Sequence, residues 1–327
     1  MSSALLRKAF HLTVPFAFIL LLAASSSAQV SLRHAMDYDN DGKSDLAVFR
    51  PSTTFWYLQR STQGFLAQQF GIPTTDTPCP GDYDGDGKGD LCVWRDTDGN
   101  FYYLRSSTGT IGVQQFGLSG DEPVARQWDG DGGPTNPNGR TDFAVIRRTN
   151  NQMIWYILTN PASGTPQFSS FQFGFATDNP IPGDYDGDGK FDYAVQRASS
   201  PTAPGIVYIQ QSQQGFKSLQ YGIGSDQFAP GDYDNDGKTD LCAVRDVNGQ
   251  LVWYVLNSSN GATSATAFGS TSDDFLAQND YDGDGKTDIA VWRNSIGYFF
   301  IQGSQSGFQA SQFGAPNDFP IAAYNSY

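Results

Sequence analysis

The chain has 327 residues with 34 acidic against 20 basic side chains, a net charge of -14 and a hydrophobic content of 39%, low for one large packed globule. That charge, with the Lys and Arg scattered rather than clustered, excludes a nucleic-acid surface, because phosphate backbones would be repelled. Glu122 is the one glutamate and His11 and His34 are the two histidines, so acid chemistry falls to Asp and His-based triads or His-rich metal sites have almost nothing to draw on.

The chain opens on a leader. Arg7 and Lys8 precede an apolar run at 12–24 and then Ser25, Ser26, Ser27 and Ala28. A charged start, an apolar stretch below the roughly 20 residues a spanning helix needs, and a small-residue cleavage site read as a signal peptide over 1–28. The mature chain, 29–327, is expected to be secreted or periplasmic, soluble and monomeric, with no membrane span.

Beyond the leader the chain repeats itself. The segment at 37–50, Asp-Tyr-Asp-Asn-Asp-Gly-Lys-Ser-Asp-Leu-Ala-Val-Phe-Arg, recurs at 82–95, 184–197, 232–245 and 280–293, with a degenerate copy at 127–147 that carries an insertion. Its second position is aromatic throughout (Tyr38, Tyr83, Trp128, Tyr185, Tyr233, Tyr281), at intervals of 45, 45, 57, 48 and 48 residues. After each acidic loop comes a short apolar strand such as Leu46–Arg50, an aromatic strand such as 55–58, a strand ending in Phe70-Gly71, and a Pro/Gly lead into the next loop. The Phe-Gly step returns at Phe116-Gly117, Phe173-Gly174, Phe268-Gly269 and Phe313-Gly314, with Tyr221-Gly222 as a variant.

About four strands in a unit of roughly 45–50 residues is the pattern of a β-propeller blade. The expected fold is all-β, a propeller of six four-stranded blades, with seven blades, one of them incomplete, as the alternative. No stretch after the leader sustains a 3.6-residue period, so essentially no helix is expected there. The segment 318–324 resembles the lead-in strand of a unit and suits a blade shared between the two ends of the chain.

The acidic loops read as metal sites. Asp-x-Asp-x-Asp-Gly-x-x-Asp places carboxylates at positions 1, 3, 5 and 9, a Gly at 6 for a sharp turn and a backbone carbonyl at 7. Hard oxygen donors crowded into nine residues suit Ca²⁺ better than Mg²⁺. The candidate ligand sets, with the position-7 Lys supplying its carbonyl, are Asp37, Asp39, Asp41, Lys43 and Asp45; Asp82, Asp84, Asp86, Lys88 and Asp90; Asp184, Asp186, Asp188, Lys190 and Asp192; Asp232, Asp234, Asp236, Lys238 and Asp240; and Asp280, Asp282, Asp284, Lys286 and Asp288. About five Ca²⁺ ions are expected. Without cations, four carboxylates on one turn would repel each other. The loop of the third unit is expected to hold no well-occupied ion: Gln127 stands at its first position, and the insertion at 133–140 displaces the carboxylate of Asp142 from Asp129 and Asp131.

The Phe-Gly step followed by Gly-Asp-Tyr-Asp-Gly-Asp-Gly-Lys-x-Asp resembles the FG-GAP/VCBS repeat family, the repeat type of integrin α-subunit propellers and of many secreted bacterial proteins. The resemblance spans the mature chain except for the broken third loop. It implies a propeller with Ca²⁺ in its hairpin loops and a role in adhesion or ligand binding, some members being lectins and others modules attached to enzymes.

Three further patterns repeat with the unit. Arg50, Arg95, Arg147, Arg197, Arg245 and Arg293 end the strand after each loop, and act either as structural clamps on backbone or aromatic neighbours or as a ring gripping an anionic ligand or sugar. The aromatic strand carries Trp56-Tyr57, Tyr102-Tyr103, Trp155-Tyr156, Val207-Tyr208, Trp253-Tyr254 and Phe299-Phe300, which serve either packing between blades or sugar stacking. Cys92 and Cys242 take a position filled elsewhere by Ala47, Ala144, Ala194 and Ala290, a tight buried spot; Cys79 lies across the second loop from Cys92, and whether the two bridge is open.

The sequence therefore reads as an exported Ca²⁺-binding propeller that serves as a binding or adhesion module for an extracellular protein or glycan and is not an enzyme. A lectin with pockets between blades is the alternative. A polysaccharide-active enzyme ranks third, because no acid/base pair such as one built on Glu122 breaks the repeat.

Overall fold

The computed structural model describes residues 35–131 and 139–322. The leader, His34 and most of the third-unit insertion lie outside the described residues. Twenty-four strands form six antiparallel four-stranded sheets arranged in a ring, a six-blade β-propeller with essentially no helix. The first unit gives β1 (Leu46–Arg50), β2 (Phe55–Arg60) and β3 (Gly64–Gln69). Blade 2 is β4 (Asp76–Pro78), β5 (Leu91–Arg95), β6 (Asn100–Leu104) and β7 (Ile111–Gln115). Blade 3 is β8 (Glu122–Pro123), β9 (Phe143–Thr149), β10 (Gln152–Leu158) and β11 (Phe168–Phe175). Blade 4 is β12 (Asn179–Pro180), β13 (Tyr193–Arg197), β14 (Pro204–Gln211) and β15 (Gly215–Ile223). Blade 5 is β16 (Gln227–Phe228), β17 (Leu241–Val247), β18 (Gln250–Leu256) and β19 (Thr263–Ser270). Blade 6 is β20 (Asp274–Leu276), β21 (Ile289–Arg293), β22 (Tyr298–Gly303) and β23 (Gly307–Gln312), and β24 (Phe319–Pro320) completes blade 1.

Blade 1 thus draws its inner strand from the end of the chain, with Val48 opposite Pro320 and Phe49 opposite Phe319. This is the shared blade expected from 318–324, and it closes the ring without a seventh blade.

The blade core follows from strand alternation. On β2, Trp56 and Leu58 are buried while Tyr57 between them is half-buried. A Trp occupies one of two directly opposed positions in five blades: Trp56 opposite Phe49, Trp94 opposite Phe101, Trp155 opposite Ile146, Trp253 opposite Val244 and Trp292 opposite Phe299. From either strand the indole N–H reaches the same place, donating to the carbonyl of Phe70, Phe116, Phe173, Phe268 or Phe313 at 2.8–3.2 Å. The Phe-Gly step is therefore the acceptor end of a buried hydrogen bond. Its glycine turns at positive φ (121° at Gly117), where a Cβ would stand 3.2 Å from the Trp94 ring.

The register corrects one expected pair. In blade 2 the counterpart of Trp56-Tyr57 is Phe101-Tyr102, not Tyr102-Tyr103, because Trp94 opposes Phe101 and Arg95 opposes Asn100. The Trp has moved to β5, which leaves β6 with a run of three aromatic residues and an ambiguous phase.

The six Arg residues are clamps. Each Nε and Nη2 grips both oxygens of one Asp ahead of or at the start of the blade's inner strand: Arg50 with Asp318, Arg95 with Asp76, Arg147 with Asp121, Arg197 with Asp178, Arg245 with Asp226 and Arg293 with Asp274, at 2.6–2.9 Å. Each guanidinium also lies 4.1–5.1 Å from the centre of a ring on the third strand, Tyr57, Tyr102, Tyr156, Tyr208, Tyr254 or Phe300. The Asp carboxylates accept a further N–H just beyond the Phe-Gly step, as from Ile72 to Asp76 at 2.8 Å. The ring of guanidiniums is used up internally.

The Ala/Cys position is fully closed, with Ala144, Ala194, Ala290, Cys92 and Cys242 all at 0% exposure, as a tight core spot requires. Cys79 and Cys92 are buried free thiols whose sulfurs stand 3.0 Å apart.

Breaking one clamp with Arg95→Met leaves the fully buried Asp76 carboxylate without its cation and is expected to cost about 2–3 kcal/mol in thermal or urea unfolding. A chain ending at Gly314 loses both β24 and the partner of Arg50, and its melt is expected to lose cooperativity. A truncated chain that melts like the full one would show that the ring does not depend on this closure.

Candidate metal centres

Each acidic loop leads into the second strand of its blade, and its carboxylates are held open by backbone N–H groups. At position 1, one oxygen of Asp37, Asp82, Asp184, Asp232 and Asp280 accepts from the position-4 residue (Asn40, Gly85, Gly187, Asn235, Gly283) at 2.6–2.7 Å. The other accepts from the position-6 glycine (Gly42, Gly87, Gly189, Gly237, Gly285) at 2.8–3.0 Å. Positions 4 and 6 both sit at positive φ, which is why Asn or Gly alternates at one and Gly is kept at the other. At position 7, Lys43, Lys88, Lys190, Lys238 and Lys286 each donate N–H to the position-5 Asp, fixing the turn that would present their carbonyls.

Position 9 ties the loop to the rest of the blade. Asp45, Asp90, Asp192, Asp240 and Asp288 accept from the N–H of the position-2 aromatic residue and from Ser61, Ser106, Ser212, Ser258 or Ser304 at 2.6–2.9 Å. These serines begin the turn between the third and outer strands, and their hydroxyls also donate to the position-5 Asp. Sequence reasoning passed over them. The signal was a Ser-x-x-Gly turn repeated at 61–64, 106–109, 212–215, 258–261 and 304–307.

Position 3 is different. One oxygen of Asp39, Asp84, Asp186, Asp234 and Asp282 accepts from the same turn, as from Thr62 and Gln63 to Asp39 at 2.8 Å. The other oxygen, Oδ1, is buried and has no hydrogen-bond partner in any of the five loops. A buried, unpaired carboxylate oxygen is costly unless something positive meets it. In each loop the position-3 Asp offers a carboxylate oxygen to a group of three that lie within 4.8 Å of one another: Asp37, Asp39 and Asp41; Asp82, Asp84 and Asp86; Asp184, Asp186 and Asp192; Asp232, Asp234 and Asp240; Asp280, Asp282 and Asp288. The all-oxygen donor set, the convergence and the orphaned oxygen fit a hard divalent cation. Of the expected ligands, Asp45, Asp90, Asp188, Asp236 and Asp284 stand outside these innermost groups.

The electrostatics agree. Burial, with neighbouring carboxylates adding to it, pushes Asp82, Asp90, Asp232 and Asp288 up to about 7 and Asp192 up to about 8. Asp39 resists its burial and stays below the usual range because Thr62 and Gln63 donate to it. Such crowding disfavours the charged loop on its own and favours it once a cation is present.

In the third loop an amide, Gln127, stands where the other loops have the position-1 carboxylate. Gln127 Nε2 donates to Asp131 Oδ1 at 2.8 Å and to the Arg140 carbonyl at 3.3 Å, while its Oε1 accepts from Gly130 at 3.1 Å. No group of converging carboxylates is found there among the described residues.

With this geometry in view, the relatives can be named. A family model for FG-GAP-like repeats matches residues 37–93 and 232–291, two stretches that each run from one intact acidic loop through the next. These two stretches carry FG-GAP-like repeats. No curated protein matches it. Among solved structures, one described as the basis of specific recognition of non-reducing terminal N-acetylglucosamine by an Agrocybe aegerita lectin is similar over 85% of this chain and 91% of that one, at 14% identity and a TM-score of 0.53. A functionally unknown protein from Desulfotomaculum acetoxidans DSM 771 is similar over 85% of this chain and 99% of that one, at 12% identity and a TM-score of 0.47. At these identities the likeness is one of fold.

In a luminescent-lanthanide titration, Asp84→Asn is expected to bind one ion fewer than the parent, and Asp129→Asn, in the third loop, to bind the same number. Equal loss in both variants would contradict the division between five open loops and one amide-filled loop.

Proposed function

We propose that this is an exported Ca²⁺-binding propeller that presents a rigid surface to an extracellular protein or glycan and has no catalytic role. The observation that carries the metal reading is the buried position-3 oxygen left without a donor in all five intact loops and in none but those. Ca²⁺ is favoured over Mg²⁺ because the loops offer mixed carboxylate and carbonyl donors in an open turn, where Mg²⁺ demands a tight octahedron. Asp37, Asp39, Asp41 and their counterparts would hold it, with the Lys43-type carbonyl and the Asp45-type carboxylate completing the shell. The ion's contribution is charge neutralisation and closure of the loop. Export is supported by the leader at 1–28 and by the character of FG-GAP repeats; among the described residues no helix is long and apolar enough to cross a membrane. The non-catalytic reading rests on the repeated polar side chains being occupied in clamps and loops.

A second reading, a lectin with pockets between blades, is favoured by one specific feature. Phe65, Phe168 and Phe308, at the start of outer strands, are 60–63% exposed and each bridges two blades. Phe65 stacks on Tyr57 and meets Phe313 of blade 6, Phe168 stacks on Tyr156 and meets Phe116 of blade 2, and Phe308 stacks on Phe300 and meets Phe268 of blade 5. Exposed rings in clefts suit the C–H face of a sugar. The lectin neighbour of like fold makes terminal N-acetylglucosamine the first glycan to screen.

Melting curves with chelator and with millimolar Ca²⁺ test the metal. Extracellular sites bind at roughly 10⁻⁴–10⁻³ M, and an ion at ten times its dissociation constant adds about 1.4 kcal/mol per site. Superimposable curves would refute Ca²⁺ binding. A glycan array with and without Ca²⁺ separates the two ligand readings: bound glycan lost on Phe65→Ser supports the lectin, and a blank array supports a protein ligand. Reproducible release of reducing ends from a polysaccharide would overturn the non-catalytic reading.

A further inference from the structure

In every blade the residue just beyond the inner strand lies opposite a small residue of the next strand and donates its N–H to that residue's carbonyl. The pairs are Ile321 with Ala47, Cys79 with Cys92, Val124 with Ala144, Ile181 with Ala194, Ala229 with Cys242 and Ala277 with Ala290, at 2.8–2.9 Å. Five of these pairs hold at most one thiol. Blade 2 holds a thiol on each side.

The Cys79 and Cys92 sulfurs stand 3.0 Å apart, inside the roughly 3.5–4.0 Å at which packed side-chain atoms settle. Both thiols are buried, among Tyr83, Trp94, Phe101, Ala125, Phe143 and Val145. The Tyr83 hydroxyl donates to the Cys79 carbonyl at 2.7 Å, so the backbone carrying one sulfur is fixed in register with the other. Among the described residues, neither thiol belongs to a group that could hold a metal. The position of the pair matters as much as its geometry. Cys79 and Cys92, 13 positions apart, bracket the second acidic loop, Asp82–Asp90, at the base of both arms. Blade 2 also stands next to blade 3, in whose loop no carboxylates converge among the described residues, and the packing around the sulfurs reaches Ala125, Phe143 and Val145 of that blade.

We propose that Cys79 and Cys92 are joined by a disulfide that staples the two arms of the second acidic loop. The bond forms by exchange with an oxidised disulfide carrier. One cysteine thiolate attacks the carrier's S–S bond, giving a mixed disulfide and one carrier thiol; the second cysteine then attacks the mixed disulfide, closing Sγ–Sγ and releasing the other carrier thiol. The carrier leaves reduced, having taken up the electron pair and the protons of both cysteines. Both sulfurs are closed off in the finished blade, so the exchange belongs to folding, before β4 docks on β5. In the cell the carrier is met where the export proposed above delivers the chain, and in that respect alone the bond rests on that reading. Cys242 stays a thiol because Ala229 faces it. The bond restricts the unfolded chain and holds β4, three residues long, at the end that the Arg95–Asp76 clamp does not reach.

Refolding the full chain in a couple of oxidised and reduced glutathione, once with Ca²⁺ and once with chelator, tests it. After denaturation the chain is expected to retain a single titratable thiol, that of Cys242, and a non-reduced digest to yield a crosslinked peptide pair containing Cys79 and Cys92. Measured in chelator, the oxidised parent is expected to melt about 4 °C or more above the parent kept in reductant. Cys242→Ala should keep this difference. Cys92→Ala, which installs the residue of four sister blades and should therefore still fold, is expected to abolish it. All three cysteines free after refolding, a crosslink to Cys242, or melts that do not respond to reductant would overturn the proposal. Because the chain is purified and the chelator arm needs no ion, failure of export or of Ca²⁺ binding would refute those readings and leave the bond standing.

Discussion

The inner strand of every blade is two or three residues long, too short for ladder hydrogen bonds to hold it. The fold depends on pinning this strand at both ends by side chains. At one end an Asp is gripped by an Arg from the neighbouring strand, and at the other an acidic loop folds around its own backbone N–H groups. The Arg–Asp pair suits this task because its fork fixes orientation as well as distance, and the ring stacked on the guanidinium shields it. Since the Asp also receives the N–H beyond the Phe-Gly step, the clamp connects the outgoing edge of one blade to the incoming strand of the next.

The loops perform the same service between blades. The position-8 N–H of each unit donates to the position-1 carbonyl of the blade before it: Gly89 to Asp37, Thr141 to Asp82, Phe191 to Gln127, Thr239 to Asp184, Thr287 to Asp232 and Ser44 to Asp280, at 2.6–2.8 Å. The last of these closes the circle on the same face as the acidic loops. A cation held in such a loop would therefore bear on two blades. Blade 3 keeps this contact through the Gln127 carbonyl, so the ring tolerates an amide side chain in place of the position-1 carboxylate.

Much of this was legible in the sequence because the repeat multiplies weak signals. One Asp-Gly turn says little, but five acidic nonapeptides and a degenerate sixth copy give the blade count, and the segment 318–324 gives the shared first blade. What escaped was what lies outside the repeated words. The serine turns at Ser61 and Ser106 carry a common residue type at a spacing that varies between blades, and their contact with the loop exists only once the strands have folded back. The blade 2 register was misphased because Trp94 had crossed to the neighbouring strand, where its indole reaches the same carbonyl. The Asp partners of the Arg clamps stood in lead-in segments that look like ordinary turns, and only pairing across the blade shows their role.

Departures from the pattern then carry a different kind of information. In a sixfold scaffold each structural role has several worked solutions, so a residue that abandons them without a compensating bond is poorly explained by stability. Gln127 does not qualify, because its amide takes over the hydrogen bonds that a cation would otherwise balance. Gln196, which stands where blades 2 and 6 have Trp, retains a long contact to the Ile223 carbonyl at 3.4 Å and is likewise accounted for. Gln278 has no such account: it is buried on the axis, its carbonyl is unpaired, and three blades fill the same place with proline. By that comparison the axis, where the six blades converge and symmetry would make every wall alike, is the part of the molecule whose chemistry has been made most unequal.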